Sequence, residues 1–261
     1  DPEMSRGLGD VYKRQLVFNP AEHRACGIVG ARERVWSFAR GLIVQIAALY
    51  SYQDVKICLV ADSAEEDEWG FMRMLPHAHD DAGVARHIAT DADALMELGM
   101  GFERELEARS EIRAEVPSDL GAYYVVVCAS AALAERSEVL SRLIRLRQNK
   151  DFSLLYFGEG LSDLPRDCDY VIDLSGAGAD LFGVGRSQDL SCDERDEERA
   201  ARMFARGDVS GTMRAFDPDI DLDAKSALRF SRALARVHLD LPSQRSSLPT
   251  SLAVSYTHLT L

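Results

Sequence analysis

Residues 26–49 read CGIVGARERVWSFARGLIVQIAAL. A short apolar run, 26–29, ends in Gly30. A long helical pattern follows, in which Val35, Phe38, Ala39, Leu42, Ile43, Ile46 and Leu49 recur at intervals of three and four. It is apolar around most of its circumference, as a helix buried in a core must be. A strand that feeds a buried helix is the opening unit of an α/β sheet. Downstream, 55–61 (VKICLVA), 122–128 (AYYVVVC) and 153–158 (SLLYFG) are apolar without alternation, which predicts central strands covered on both faces. Residues 87–89 and 169–174 (DYVIDL) are further strands. Between them lie a short acidic helix over 65–75, a helix opened by Thr90 with Asp93 three positions on as a capping box, and a helix over 136–147. Leu95, Leu98, Phe102 and Leu106 form the apolar stripe of the second of these, with Glu105 and Arg109 as an i,i+4 pair on its other face. Strands alternating with helices predict an α/β fold: a mostly parallel sheet with right-handed crossovers and helices on both faces.

Beyond Gly176 the pattern weakens. Residues 188–199 hold six acidic and two basic side chains and read as a solvated face; 211–216 reads as a hairpin strand. Residues 223–237 read as a last amphipathic helix and 243–251 as a linker. The ends, 5–15 and 254–261, do not continue the periodicity beside them and resemble translated adapter sequence. The expected organisation is therefore a non-native or disordered end over 1–15, one α/β module over 16–215, a C-terminal helix and linker toward a next domain over 216–253, and a second such end over 254–261. Residues 16–253 then read as an internal piece of a longer protein.

The chain has 261 residues, 46% apolar and 28% charged, enough for one large core. It carries 43 acidic against 30 basic residues, a net charge of −13, which repels phosphate backbones and argues against nucleic acid as a partner. Five cysteines without a CxxC pair, in mostly apolar surroundings, read as buried reduced thiols. The longest apolar run, 42–50, has nine residues including Gln45, where a membrane span needs about 20.

The junction over 27–34 stands where a phosphate-binding loop belongs. A working loop reads G-x-x-x-x-G-K followed by Ser or Thr: glycines turn backbone N–H groups toward phosphate, the Lys reaches the β/γ oxygens and the hydroxyl holds Mg²⁺. Gly27 fits the first position and Gly30 and Ala31 lie within the loop. Arg32 replaces the second required Gly, Glu33 replaces the Lys, and Arg34 replaces the hydroxyl. A metal-binding carboxylate should close a neighbouring strand, but 122–128 continues as Cys128-Ala129-Ser130. By spacing alone the stretch is also an ordinary strand–turn–helix with two glycines.

CGIVG (26–30), FARGLIVQIAALYSYQDVKICLV (38–60), DEWGFMRMLPHAHDD (67–81), SLLYFGEGLSDLPRDCDYVIDLSG (153–176) and GTMRAFDPD (211–219) together resemble the EssC/EccC proteins of type VII secretion, which are membrane-anchored FtsK/SpoIIIE-type ATPases with several ATPase modules in tandem. The similarity follows the degenerate module that precedes the first active ATPase domain. It implies a P-loop NTPase-like, RecA/FtsK-like sheet and a place at the cytoplasmic face of the bacterial cell membrane. It implies neighbouring ATPase modules and other secretion-machine components as partners, and an oligomer in the full-length parent. Gly27, Gly30, Ala31, Arg32, Glu33 and Arg34 would be a vestigial P-loop with no catalytic residue, no cofactor and no metal in this piece. ATP and magnesium belong to downstream modules of the parent. The function implied is a pseudo-ATPase structural and regulatory module. The alternative is a divergent FtsK/SpoIIIE-type domain that still binds or slowly hydrolyses ATP.

Three other groupings carry weaker readings. His77, His79, Asp80, Asp81 and His87 could form a metal cluster, but Pro76 makes the stretch a turn. Arg136, Arg142, Arg145, Arg147 and Lys150 read as a solvated basic helix face, or as a site for phosphate or an acidic partner. Trp36 and Trp69 read as core, or as a docking face if exposed.

Overall fold

The computed structural model describes residues 17–18, 24–80, 86–111, 121–146, 151–168, 170–175, 179–184, 211–216, 221–235 and 254–255. In chain order the elements are β1 (Val17–Phe18), β2 (Ala25–Val29), α1 (Arg32–Leu49), β3 (Val55–Val60), α2 (Glu66–Trp69), β4 (Ile88–Ala89), α3 (Ala92–Glu111), β5 (Tyr123–Cys128), α4 (Ala131–Ala134), α5 (Glu138–Arg145), β6 (Phe152–Gly158), β7 (Tyr170–Asp173), β8 (Ala179–Val184), β9 (Gly211–Phe216), α6 (Ala224–Leu234) and β10 (Val254–Ser255). Eight strands form one sheet in the order β4-β3-β5-β6-β2-β7-β8-β9. The six from β4 to β7 are parallel, and β8 and β9 continue the sheet antiparallel. β1 and β10 pair separately with each other. This is the α/β, mostly parallel architecture expected from the strand–helix alternation, and it is consistent with the P-loop NTPase-like sheet that the resemblance implies.

The apolar runs without alternation are the buried interior of this sheet. Every residue of β3 and β5, and every residue of β6 except Gly158, is buried. Successive side chains point to opposite faces. Ile57, Leu59, Val125, Val127, Leu155 and Phe157 pack in one core with Val35, Phe38, Leu42, Ile43 and Ile46 of α1. Cys58, Val60, Val126, Cys128, Leu154 and Tyr156 pack in a second core with Leu95, Leu98 and Phe102 of α3 and Leu140 and Leu143 of α5. The chain enters at the middle of the sheet through β2, crosses to β3, returns through β5 and β6, and places β7 on the far side of β2. In an open α/β sheet this reversal point, at the carboxyl ends of the strands, is where ligands bind.

Several local expectations are corrected. Residues 65–75 are not one helix. A 3-10 turn (Ser63–Glu65) leads into the single turn of α2, and two more 3-10 turns, Gly70–Met74 and Pro76–Ala78, follow. Trp69, Phe71 and Met72 all reach the core from these short turns. Thr90 and Asp93 do not form the cap of α3: Asp91 Oδ1 accepts from Ala94 N–H at 2.8 Å. Arg109 is not on a solvent face but 2% exposed. It donates to the Ala122 carbonyl at 2.7 Å, lies 3.5 Å from Glu105 and from Asp151, and stacks on Tyr124 and Phe152. The strand β8 was not legible in the sequence. The acidic run 188–199 and the linker 243–251 lie outside the described residues.

Val126 is fully buried, between Cys58 of β3 and Leu154 of β6. Val126→Asp places a carboxylate without a partner in the second core, so a loss of about 4 kcal/mol or more is expected. The measurement is soluble yield and thermal unfolding; a soluble variant with an unchanged melting temperature would put this strand at the surface.

Candidate functional site

The candidate loop residues sit where β2 passes into α1. Gly27 is not part of a loop: it lies inside β2, paired with Tyr156 and Val171 on its two sides. Leu164 packs on it, and a Cβ there would stand 2.1 Å from a Leu164 methyl, so a larger residue requires that side chain to move. Only Gly30 and Ala31 separate the strand from the helix. Gly30 has φ +147°, and a Cβ there would be 3.0 Å from the Leu174 backbone. Its N–H donates to the Gly158 carbonyl at 3.2 Å, and the Leu174 N–H donates to the Val29 carbonyl at 2.7 Å. These bonds knit the carboxyl ends of β6, β2 and β7 together.

Arg32, Glu33 and Arg34 form the first turn of α1. Arg32 is ion-paired with Glu65, and its guanidinium lies 4.4 Å over the Trp36 ring. Arg34 donates to the Leu174 carbonyl at 3.0 Å. Glu33 is exposed. The structure thus brings Gly30, Ala31, Arg32, Glu33 and Arg34 to one edge and leaves Gly27 a turn behind, within the sheet. Four residues arching between two glycines would be needed to wrap a phosphate; Ile28 and Val29 are strand residues instead.

The carboxylates along this edge serve local backbone. Asp173, which ends β7 and is buried, accepts from Ser175 N–H at 2.8 Å. Asp163 accepts from Glu159 and Gly160 N–H at 2.9 and 3.0 Å, and Asp62 from Ala64 N–H at 2.9 Å. After β5, Ser130 caps α4 by accepting from Leu133 N–H at 3.3 Å. Asp173 was passed over in the sequence, although an acid closing an apolar run in 169–174 marked it. The edge as built does not fit a magnesium nucleotide: an exposed carboxylate stands where the ammonium is needed, and a guanidinium tied to a carbonyl stands where the hydroxyl is needed.

The histidines do not converge. His77 is 3% exposed and its Nε2 lies 2.8 Å from the Tyr50 carbonyl; His79 Nδ1 lies 2.9 Å from the Leu75 carbonyl. His87 packs beside the Tyr124 ring, and Asp81 lies outside the described residues. No group of three metal-ligating side chains forms among the described residues. Trp69 is core, 2% exposed and stacked on Phe157, while Trp36 meets it edge-on and is half-buried. Of the basic set, Arg136 is exposed, Arg142 lies 3.8 Å from Glu103 and Arg145 3.3 Å from Asp167; Arg147 and Lys150 lie outside the described residues. Burial pushes the thiols of Cys58 and Cys128 far above their ordinary range, so neither is a nucleophile. Among the described residues no helix is long and apolar enough to cross a membrane.

No protein-family model and no curated protein matches the sequence. The fold is matched by solved structures. EssC (ATPases 2 and 3) from Geobacillus thermodenitrificans is 11% identical with a TM-score of 0.52, over 85% of this chain and 46% of that one. A structure of the cytoplasmic domain of EssC is 11% identical with a TM-score of 0.53, over 85% of this chain and 47% of that one. The chain therefore spans about half the length of the structures it matches. At this identity the likeness is one of fold: the chain has the fold of an EssC/EccC-like ATPase module.

Burial lowers the pKa of His77 below its ordinary 6.5; the Tyr50 carbonyl acts the other way and Lys56 adds to the lowering. The folded state thus resists protonation while the unfolded chain takes up the proton. The contribution of His77 to stability is complete above about pH 6.5 and falls as the pH drops below it. Thermal unfolding should show a steeper loss of melting temperature between pH 7 and pH 5 in the wild type than in His77→Gln. Parallel curves would mean that His77 does not carry the acid sensitivity.

Proposed function

We propose that this chain is a structural and regulatory pseudo-ATPase module of a type VII secretion motor protein. In this reading it works at the cytoplasmic face of a membrane-anchored parent, through contacts with neighbouring ATPase modules and other components of the secretion machine. ATP and magnesium act in other modules. The observation that carries the reading is the junction of β2 and α1. In a fold of the EssC/EccC ATPase type, the place of the phosphate loop is taken by a two-residue turn whose N–H is bonded to Gly158. Glu33 then opposes phosphate by charge, and phosphoryl transfer depends almost wholly on positioning and electrostatics. A folded module without that chemistry acts by contact. The edge formed by Arg32, Glu33 and Arg34 is the first candidate for the contact surface with a neighbouring module.

Calorimetric titration of the chain with magnesium ATP should give no saturable heat. Restoring the two side chains in Glu33→Lys with Arg34→Thr should still give none, because the arch is missing as well as the charge. Saturable, magnesium-dependent binding by the wild type, lost in Gly30→Asp, would favour a working nucleotide site and overturn this reading.

The contact role is read in the parent. Arg32→Glu with Arg34→Glu in the full-length motor should reduce secretion severalfold, with the thermal unfolding of the isolated chain serving as the control for folding. Secretion at the wild-type level would remove this edge as the contact surface.

A further inference from the structure

The helix α6 carries cations that no described side chain answers. Lys225, Arg229 and Arg232 are exposed and recur at i, i+4 and i+7, one face of the helix over about 10 Å. None has an ion-pair partner among the described residues. In a chain of net charge −13 the stripe is a local concentration of the opposite sign. The opposite face of α6 is spoken for: Ala227 and Ser231 are buried where the helix packs on α1 and on the turn Gly70–Met74.

The complement lies on the same side of the molecule. Arg40 of α1 is buried and holds two segments at once. Its Nε donates to the Leu222 carbonyl at 2.8 Å, just before α6, and its Nη1 donates to Glu68 at 2.8 Å. The start of α6 and the acidic run 62–68 are therefore neighbours. Within that run Glu65, Glu66 and Glu68 are paired with Arg32, Arg73 and Arg40. Asp62 and Asp67 are exposed without an ion pair among the described residues, and Glu33 is exposed on the first turn of α1, next to Arg32. Met74, 42% exposed, closes the turn that connects this run to the packing surface of α6.

We infer that this face is a self-complementary interface with a second copy of the chain. A two-fold axis between the patches sets the α6 stripe of each copy against Glu33, Asp62 and Asp67 of the other, so each charge contact is made twice. Exposed apolar Met74 with a charged surround is the arrangement of an interface centre and its rim. The inference shares Glu33 with the edge named above but does not rest on the pseudo-ATPase reading, because no residue of the stripe belongs to the β2–α1 junction and nucleotide binding by the chain leaves the dimer test unchanged.

Sedimentation velocity of the full 261-residue chain is the test. The wild type should show a monomer–dimer equilibrium at about 50 mM NaCl whose dissociation constant rises about tenfold or more at about 500 mM, where exposed charges are screened. Lys225→Glu with Arg229→Glu should be monomeric, and so should Glu33→Arg with Asp67→Arg. An equimolar mixture of the two variants should recover the dimer, since each then presents the charge the other has lost; circular dichroism of each variant verifies folding. A wild type that is monomeric at both salt concentrations overturns the inference and leaves the stripe to a different acidic partner. A dimer that survives both double substitutions, or a mixture that stays monomeric, overturns it as well.

Discussion

The turn at Gly30 constrains everything around it. At φ +147° it is a conformation that glycine alone takes without strain, and the missing side chain lets the Leu174 backbone approach. That approach permits the bond from Leu174 N–H to Val29, and with the bond from Gly30 N–H to Gly158 it ties three parallel strands at their carboxyl ends. α1 must then begin at once. Its first turn reaches back to the Leu174 carbonyl through Arg34, and its buried face drops onto β3, β5 and β6. The tightness that fixes α1 on the sheet is the same tightness that leaves no arch for a phosphate.

The parallel sheet was legible because burial on both faces leaves an unmistakable trace: 55–61, 122–128 and 153–158 contain almost nothing polar. The long buried helix α1 was legible for the same reason. Where the structure departs from the sequence reading, a long-range contact decides. Gly27 fits a loop by spacing, but its glycine answers Leu164, more than a hundred residues away, and no local rule reveals that. Arg109 reads as half of a surface pair with Glu105. Its guanidinium is drawn inward by the Ala122 carbonyl, Asp151 and two aromatic rings, which come from the starts of β5 and β6. Residues 65–75 carry acidic helix formers, yet three core aromatic and apolar side chains break them into short turns. In the candidate site, the chemical identities of Glu33 and Arg34 were legible and their geometry was not.

Two buried arginines lie in the helical layers on the two faces of the sheet. Arg109 closes the amino end, where α3, β5 and β6 meet, and Arg40 closes the α1 layer, where α6 joins it. A buried guanidinium is costly unless most of its donors are met, and each of these has backbone carbonyl and carboxylate partners from segments distant in sequence. Neither partner set can form until several elements are already in place, so each arginine reports a completed tertiary arrangement. The consequence differs between the two. Around Arg109 the partners named here come from α3 and from the residues that lead into β5 and β6. Around Arg40 one partner is the backbone leading into α6 and the other is the acidic run 62–68. The clamp there also fixes, side by side on the outer surface, a positive stripe and a negative patch that have no ion-pair partner among the described residues. Internal packing has thus set the spacing of an external charge pattern.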